Sequence, residues 1–420
     1  MISFLITAIK FIFLLGFLVL IHEGGHFIVA KLCKVKVHDF AIGFGPIILK
    51  KKKGDTLYSL RLFPLGGFVR MEGEEKLSED EGSFSKKSVP QRIAIVMAGA
   101  TVNILFGLLV YFILVSSTSN YVSNKVETVE SGYGAEISGI LPNDEIIEIN
   151  GKNIHLRSDM QEIMSSSNGE EVEVKIKRND EIFTLNVLPT KKEAKSTGIY
   201  FLNGKEEQST KIVAVYPDSP AEKAGLKQND IIIKVNGEDV ENDPYKAVEL
   251  TQNASESEIE YTIIRNNSEL NIKVTPNIIN QYYLGVTFSP AEKSFVNNIK
   301  YGFWDTLDFS VSIVDNLKML FSGKVSTDQL MGPIGISTLV ADTNGIVEFI
   351  YLLALISLSL GVTNLIPIPP LDGWKVVLYI IEGIRKKPMN ENLQIQIESL
   401  GFLFMILLSI YVAYNDILRI

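Results

Sequence analysis

The sequence predicts a polytopic α-helical membrane protein with four transmembrane helices and two inserted α+β domains. Three observations predict this class: the mean hydropathy is +0.19, the apolar residues concentrate in long runs, and a motif recurs in the polar middle of the 420-residue chain. A soluble chain of this length is normally less apolar, so the runs indicate a membrane protein that carries a soluble part.

Charge and cysteine content narrow the functional classes. The net charge of −9 gives no support to nucleic-acid binding, which requires a basic surface. The single cysteine, Cys33, excludes an internal disulfide framework and a zinc site made of cysteines alone. Any metal site must therefore use Asp, Glu or the four histidines of the chain.

The apolar runs are long enough to cross a bilayer, for which about 20 residues are needed. We assign transmembrane helices to residues 1–32, 93–117, 346–374 and 399–420. A signal peptide is the alternative for the first run, but it would carry its basic residues ahead of the apolar stretch, and here Lys31 and Lys34 follow it.

Lysine and arginine residues predict the topology of the chain. They concentrate in the loops 33–92 and 375–398, which the positive-inside bias places in the cytoplasm. Residues 118–345 then lie on the outer side, and membrane lipids surround the four helices. We interpret the run Lys50–Lys53 as part of a solvated cytoplasmic loop.

A repeat in the middle of the chain predicts two copies of one small domain. Residues 138–154 read SGILPNDEIIEINGKNI, and residues 224–240, offset by 86 positions, read AGLKQNDIIIKVNGEDV. Each copy has an Asn-Gly pair that suits a tight hairpin turn, because both turn positions need φ > 0. We assign the copies to residues 118–200 and 201–290.

The second copy, SPAEKAGLKQNDIIIKVNGEDV from Ser219, resembles a PDZ domain of the bacterial protease-associated type. The first copy has Tyr133 and Gly134 where this type has Ser-Pro, which leaves its peptide-binding loop open to question. PDZ domains bind extended chains at a sheet edge, so peptide termini are candidate ligands. A rigid spacer or size filter is the alternative.

Residues 291–345 are predicted to form an amphipathic helix followed by a linker. Phe303, Trp304, Leu307, Val311 and Val314 have helical spacing and are mixed with polar residues. Packing beneath the repeated domains and lying on the membrane surface both fit this pattern.

The first apolar helix contains His22-Glu23-Gly24-Gly25-His26. Residues four apart lie on one helix face, so both imidazoles can hold one zinc ion, with Glu23 placed to act as general base on a water. Two His and a Glu inside an apolar helix are costly unless they are paired or bind something. A pair of structural polar residues facing a bundle interior is the alternative.

Catalytic zinc needs a third protein ligand and an open position for water. His38 lies beyond the helix end and His155 lies in the outer domain, so spacing places neither at the site. The better candidate is Asp372, within the stretch NLIPIPPLDG that begins at Asn364. Its prolines cannot continue a helix, and broken backbone at membrane depth is tolerated only when it is buried in protein or lines a wet cavity.

The stretch TLYSLRLFPLGGFVRM, residues 56–71, reads as two short strands around a Pro-Leu-Gly-Gly turn. One interpretation is a cytoplasmic hairpin that only packs on the helices. In the second predicted transmembrane helix, residues 93–117, Asn103 is a polar residue in apolar surroundings, and we interpret it as a helix-packing residue.

Taken together, HExxH in the first membrane helix, NxxPxPxLDG in a later one and PDZ-like copies between them resemble the bacterial site-2 proteases of the regulator of sigma-E protease type. The resemblance implies a bacterial inner-membrane zinc endopeptidase with its active site toward the cytoplasm and PDZ domains outside. It implies His22, His26 and Asp372 as zinc ligands, Glu23 as catalytic acid/base and Asn364 as a substrate-positioning group.

The same resemblance implies a membrane-associated β-hairpin whose edge pairs with substrate. The residues implied at that edge are Leu65, Gly66, Gly67, Phe68 and Val69. Implied substrates are single-span membrane proteins, namely anti-sigma factors already trimmed by another protease and remnant signal peptides. A membrane-anchored PDZ scaffold with a structural metal is the rival class, and a transporter fits less well because no inverted repeat is visible.

Overall fold

The structure is a computed structural model, and its chain divides into two compact units, 1–117 with 328–418, and 118–327. The described residues are 2–74, 78–117, 121–203, 208–216, 218–255, 257–265, 268–321, 331–343, 345–387 and 389–419. The helices are α1 (Ile2–Leu32), α2 (Val89–Ser117), α3 (Gly134–Ser138), α4 (Arg157–Ser166), α5 (Pro220–Ala224), α6 (Pro244–Gln252), α7 (Phe295–Phe321), α8 (Pro333–Asp342), α9 (Ile346–Asn364), α10 (Asp372–Arg385) and α11 (Glu391–Arg419).

The strands fall into one two-stranded sheet in the first unit and three sheets in the second. They are β1 (Val37–Lys53), β2 (Thr56–Met71), β3 (Val122–Val129), β4 (Glu145–Ile149), β5 (Lys152–Asn153), β6 (Val172–Arg178), β7 (Glu181–Val187), β8 (Thr190–Ser196), β9 (Ile199–Asn203), β10 (Gln208–Val215), β11 (Ile231–Val235), β12 (Glu238–Asp239), β13 (Ile259–Arg265), β14 (Ser268–Val274), β15 (Asn277–Tyr283) and β16 (Val286–Pro290).

Four helices of the first unit are long and apolar enough to cross a membrane, which confirms the predicted number. They are α1, α2, α9 and α11, with qualifying stretches at Leu5–Leu32, Val89–Ser117, Ile346–Asn364 and Asn392–Leu418. Small residues bring α2 and α9 together: a Cβ at Gly107 would lie 2.8 Å from the Ala354 carbonyl oxygen, and one at Gly361 would lie 2.7 Å from that of Ala100. Such close backbone approach is how membrane helices gain packing energy without a hydrophobic driving force.

Two short helices of the first unit are absent from the sequence-based assignment. The segment predicted as one helix over 346–374 is divided, since α9 ends at Asn364 and α10 begins at Asp372, and α10 continues into the predicted loop 375–398. The other short helix, α8, lies in the range predicted as a linker. Sequence spacing did not indicate α8 because it has only 10 residues.

Charged residues of two apolar helices stabilise the ends of α8. The carboxylate of Asp416, on α11, accepts hydrogen bonds from the backbone N–H groups of Gly332 and Gly335 at 3.0 and 2.8 Å. At the other end, Lys10 Nζ donates to the carbonyl oxygen of Thr343 at 2.9 Å. An anion at the N-terminus and a cation at the C-terminus both match the helix dipole, which accounts for these two charges inside apolar helices.

The predicted hairpin over 56–71 has a different pairing. Its two halves do not pair with each other, because the first half of β1 lies between them: Ala41 is opposite both Ser59 and Phe68, and Ile42 is opposite both Leu60 and Gly67. The tight turn between β1 and β2 is at residues 53–56, where Lys53 pairs with Thr56. The run Lys50–Lys53 belongs to β1 and is exposed, in agreement with a solvated surface.

The repeated copies form two similar sheets in the second unit. The order is β16-β3-β4-β6-β7 in the first and β14-β13-β11-β10-β9 in the second, with β5 and β12 as equivalent short strands. The Asn-Gly turns are as predicted: Asn150 and Gly151 have φ of 49° and 77°, and Asn236 and Gly237 have 48° and 83°. Apolar side chains from strands and helices fill a separate core in each copy.

The predicted boundaries of the two copies, residues 118–200 and 201–290, do not agree with the strand pairing of β16. Strand β16, inside the second predicted range, pairs with β3 and completes the sheet of the first copy. The second copy is therefore inserted into the first. Local sequence patterns did not reveal this, because strand pairing over such a separation has no local signal.

A buried aspartate with an arginine partner recurs in both copies. Asp230 is 1% exposed and accepts hydrogen bonds from Arg265 at 2.7 and 2.6 Å, and Asp144 has the same arrangement with Arg178. Burial alone would raise the pKa of Asp144, but the arginine and the backbone N–H of Leu141 outweigh it, so the pKa is lowered. This contribution to stability is present above about pH 4 and is lost as the pH falls further.

We expect Arg265→Met to destabilise the second copy by about 3 kcal/mol, because it leaves a buried carboxylate without its partner. The measurement is the unfolding midpoint of the purified, detergent-solubilised chain. Lys273→Met is the matched control on the same sheet, since its pair with Glu260 is long, at 3.9 Å, and exposed. Equal midpoints for the two variants would contradict this account.

The amphipathic helix α7 packs on the first copy along part of its length. The ring of Trp304 stacks on that of His155 with centroids 3.5 Å apart, and Ser158 donates a hydrogen bond to Asp308 at 2.8 Å. Of the two arrangements left open by the sequence, packing on the repeated domains is therefore present.

Candidate metal centre

The two histidines of α1 lie on one face of the helix, as their spacing predicts. The Nε2 atoms of His22 and His26 are 3.2 Å apart, and the rings are close to perpendicular. Of the two glycines between them, Gly25 lies against α2, where a Cβ would be 2.6 Å from the Ala98 carbonyl oxygen. A Cβ at Gly24 would meet nothing within 4 Å, so only Gly25 is explained by close helix approach.

Asp372 joins the two histidines from the first turn of α10. Its Oδ2 atom lies 3.2 Å from Nε2 of His22 and 3.3 Å from Nε2 of His26. The chain reaches this position because residues 365–371, which include three prolines, interrupt the helix between α9 and α10. Gly373 is required next to it, since a Cβ there would collide with the carbonyl group of Leu365.

Among the described residues, these three side chains are the one group of His, Cys, Asp or Glu whose ligand atoms lie close enough together to hold a metal ion. Their ligand atoms form a nearly equilateral triangle with sides of 3.2, 3.2 and 3.3 Å. A tetrahedral zinc site with bonds of about 2.0–2.1 Å has ligand separations of about 3.3–3.4 Å. The donor set of two imidazoles and one carboxylate therefore fits catalytic zinc, with a fourth position left for water.

Residues of α2 support both imidazoles from behind. The Nδ1 atom of His26 lies 2.8 Å from the carbonyl oxygen of Ile95, to which it can donate, and this leaves Nε2 free to face the metal position. Nδ1 of His22 lies 3.4 Å from the side-chain amide of Asn103. Gly99 packs against both rings, because a Cβ there would collide with Nε2 of His26 and with the His22 ring. The sequence marked Asn103 as polar but did not reveal this contact.

Glu23 lies between the histidine pair and the β-sheet. It is close enough to interact electrostatically with both imidazoles, Asp372 and Glu74. A Cβ at Gly67, on β2, would be 3.0 Å from Cγ of Glu23. The second half of β2 is thus in contact with the side chain predicted to act as acid and base.

An ion pair that the sequence did not reveal joins the chain after β2 to α10. Lys375 Nζ lies 3.0 Å from Oε1 of Glu74, and Glu74 raises the pKa of Lys375. Lys375 is one helical turn after Asp372, so the pair ties the end of the β-sheet to the helix that carries the third candidate ligand.

The other residues considered for the site, Asn364, His38 and His155, belong to other parts of the chain. Asn364 is the half-buried last residue of α9. His38 pairs with Glu72 at 2.6 Å, and His155 stacks on α7, so neither joins the cluster.

On β2, Gly66, Gly67 and Phe68 are half-buried, and Val69 is packed in the core beneath the sheet. The side chain of Leu65 lies outside the described residues.

Helices of membrane-spanning length around an imidazole–carboxylate cluster define a membrane protein with a site for a catalytic metal. A model of peptidase family M50 matches residues 10–408. The chain belongs to peptidase family M50, and it is a zinc metalloprotease.

Two proteins with similar sequences match this chain over almost its whole length. The regulator of sigma-W protease RasP of Bacillus subtilis (strain 168) is 31% identical over 446 residues, which cover 99% of each chain. The regulator of sigma E protease of Haemophilus influenzae is 31% identical over 451 residues and 100% of each chain. Among solved structures, the PDZ domain of HtrA3 bound to a phage-derived ligand covers 22% of this chain at 22% identity, with a TM-score of 0.19.

Proposed function

We propose that the protein is an intramembrane endopeptidase that cleaves transmembrane segments of single-span membrane proteins. The observation that carries the proposal is the position of the cluster: His22 and His26 lie within a helix of membrane-spanning length, and Asp372 reaches them from the break between two helices. Peptide hydrolysis at this site would take place among membrane helices.

In this proposal His22, His26 and Asp372 hold the zinc ion. Zinc, when bound, supplies a Lewis acid that lowers the pKa of water to about 7 and polarises a carbonyl group. Glu23 takes one proton from the attacking water while the water oxygen bonds to the peptide carbonyl carbon. The C–N bond then breaks, and Glu23 delivers the same proton to the departing nitrogen. The products are a carboxylic acid, which keeps the second proton of the water, and an amine.

The second half of β2 supports a way to present the substrate. Gly66–Met71 pairs with β1 on one side, and in the described part of the chain no strand pairs with its other edge. A free edge can add an extended chain as a further strand. An extended substrate exposes peptide carbonyls that a helix keeps bonded and shielded. Because Gly67 contacts Glu23, a segment paired here would lie beside the proposed acid and base.

We expect Gly67→Ala to reduce cleavage at least about tenfold without loss of zinc. The added methyl group would lie 2.8 Å from the Ala41 carbonyl oxygen, 2.8 Å from Cγ1 of Val19 and 3.0 Å from Cγ of Glu23, so strand β2 must move away from these groups or they must shift. Displacement by about 1 Å can cost two orders of magnitude in rate. Gly16→Ala is the control, since its Cβ would meet nothing within 4 Å. Wild-type cleavage by Gly67→Ala would remove this contact from the mechanism.

The proposed substrates and topology follow the resemblance, the charge bias and the names of the relatives. Two relatives are named as regulators of sigma-W and sigma-E, so anti-sigma factors trimmed by another protease are proposed substrates, with remnant signal peptides as a second group. We place the active site toward the cytoplasm and the repeated domains outside the bacterial inner membrane. There the domains would exclude bulky substrates or bind peptide termini.

The test is cleavage of a single-span reporter by the purified protein in liposomes, with mass spectrometry of the products. We expect one cut inside the apolar segment, and we expect a zinc chelator to abolish it. Cuts confined to the polar flanks, or unchanged cleavage in chelator, would contradict the proposal.

A further inference from the structure

We propose that Asn103 is a positioning residue of the metal centre, which holds His22 in the orientation that metal binding requires. The inference rests on the proposed function, because it takes His22, His26 and Asp372 as the ligand set. It concerns the partner of His22 on the side of the ring that faces away from the cluster.

Each imidazole of the pair has a partner on α2, but the two partners differ in kind. His26 Nδ1 faces the backbone carbonyl oxygen of Ile95 at 2.8 Å, which side-chain replacement does not remove. His22 Nδ1 faces the side-chain amide of Asn103 at 3.4 Å. The orientation of His22 therefore depends on a group that mutation can delete.

The hydrogen-bonding capacity of Asn103 matches this role. Asn103 is 0% exposed, and its Oδ1 atom has no hydrogen-bond partner among the described residues. Rotation of the amide by 180° exchanges oxygen and nitrogen without a change of shape, so either atom can face His22. When Nε2 of His22 faces a metal, Nδ1 carries the hydrogen and needs an acceptor, and the rotated amide supplies Oδ1 to it.

The backbone of Asn103 is fixed independently of its side chain. Ser357, on α9, is fully buried and donates a hydrogen bond from Oγ to the carbonyl oxygen of Asn103 at 2.8 Å. This bond uses only the backbone of Asn103, so replacement of the Asn103 side chain removes neither its donor nor its acceptor. The amide is thus left for His22.

The test measures zinc affinity of the purified full-length protein by chelator competition, and the absorption spectrum of the cobalt-substituted protein. We expect Asn103→Leu, of similar volume, to bind zinc about 10–100-fold more weakly and to change the cobalt spectrum. Asn103→Asp keeps an acceptor beside Nδ1 and should retain most of the affinity. Ser357→Ala is the packing control, and we expect it to leave both readouts at the wild-type values.

Four outcomes are decisive. Wild-type affinity and spectrum in Asn103→Leu would overturn the inference, as would equal losses in Asn103→Leu and Asn103→Asp. If Asn103→Leu does not fold, the comparison of Asn103→Asp with Ser357→Ala decides: zinc binding at least about tenfold weaker in Asn103→Asp than in Ser357→Ala contradicts the inference. His22→Ala separates the two proposals, because unchanged zinc binding there would instead contradict the ligand set.

Discussion

Glu23→Gln is expected to reduce cleavage of a single-span reporter by at least about 100-fold while the protein keeps its zinc. Glutamine has nearly the same shape but cannot take a proton from water, and positioned acid–base groups typically contribute about 10²–10⁴ in rate. Glu23 interacts electrostatically with His22, His26 and Asp372, but it is not one of these three clustered residues. We therefore expect the variant to bind the metal. The measurements are initial cleavage rates in liposomes and zinc per chain.

Glu72→Gln is a suitable control for this variant. Glu72 pairs with His38 and does not belong to the clustered group, so its replacement should leave the cleavage rate close to that of the wild type. Full cleavage by Glu23→Gln would remove Glu23 from the mechanism.

Asp372→Ala is expected to lower zinc content from about one ion per chain to a small fraction of that value. Two imidazoles would remain, and catalytic zinc sites normally use three protein ligands. The Asp372 carboxylate contributes the single oxygen atom of the triangle, 3.2 and 3.3 Å from the two nitrogens. Cleavage should disappear together with the metal, and added zinc should restore it only in part.

A matched replacement elsewhere distinguishes loss of a ligand from general damage. Asp416 is also an aspartate of the first unit; it is buried and accepts hydrogen bonds from the N-terminus of α8. Asp416→Asn should lower the unfolding midpoint and leave the zinc content unchanged. Equal zinc content in Asp372→Ala and the wild type would contradict the assignment of Asp372 as a ligand.

The sequence predicted those parts of the molecule whose signals are local. His22 and His26 share a helix face because a spacing of four residues is a property of the α-helix itself. The Asn-Gly pairs at residues 150 and 236 form their turns because few other residues adopt φ > 0 at low cost. Apolar length alone predicted the four long helices.

The contacts that the sequence left open join distant parts of the chain. No spacing rule links Asp372 to His22; only the need for a third ligand and the proline-rich break made it a candidate. The position of Asn103 behind His22 depends on the rotation of α2 against α1, which its nearly uniform apolar sequence does not specify. Strand β16 likewise joins the first copy through long-range pairing.

Zinc K-edge X-ray absorption of the gently extracted, zinc-loaded protein tests the central claim most directly. Two imidazole nitrogens, a carboxylate oxygen and a fourth light atom at about 2.0–2.1 Å are the predicted coordination shell, without sulfur. Loss of one imidazole from the spectrum of His26→Ala would support it. A sulfur ligand from Cys33, or a spectrum unchanged in both His26→Ala and Asp372→Ala, would contradict the account.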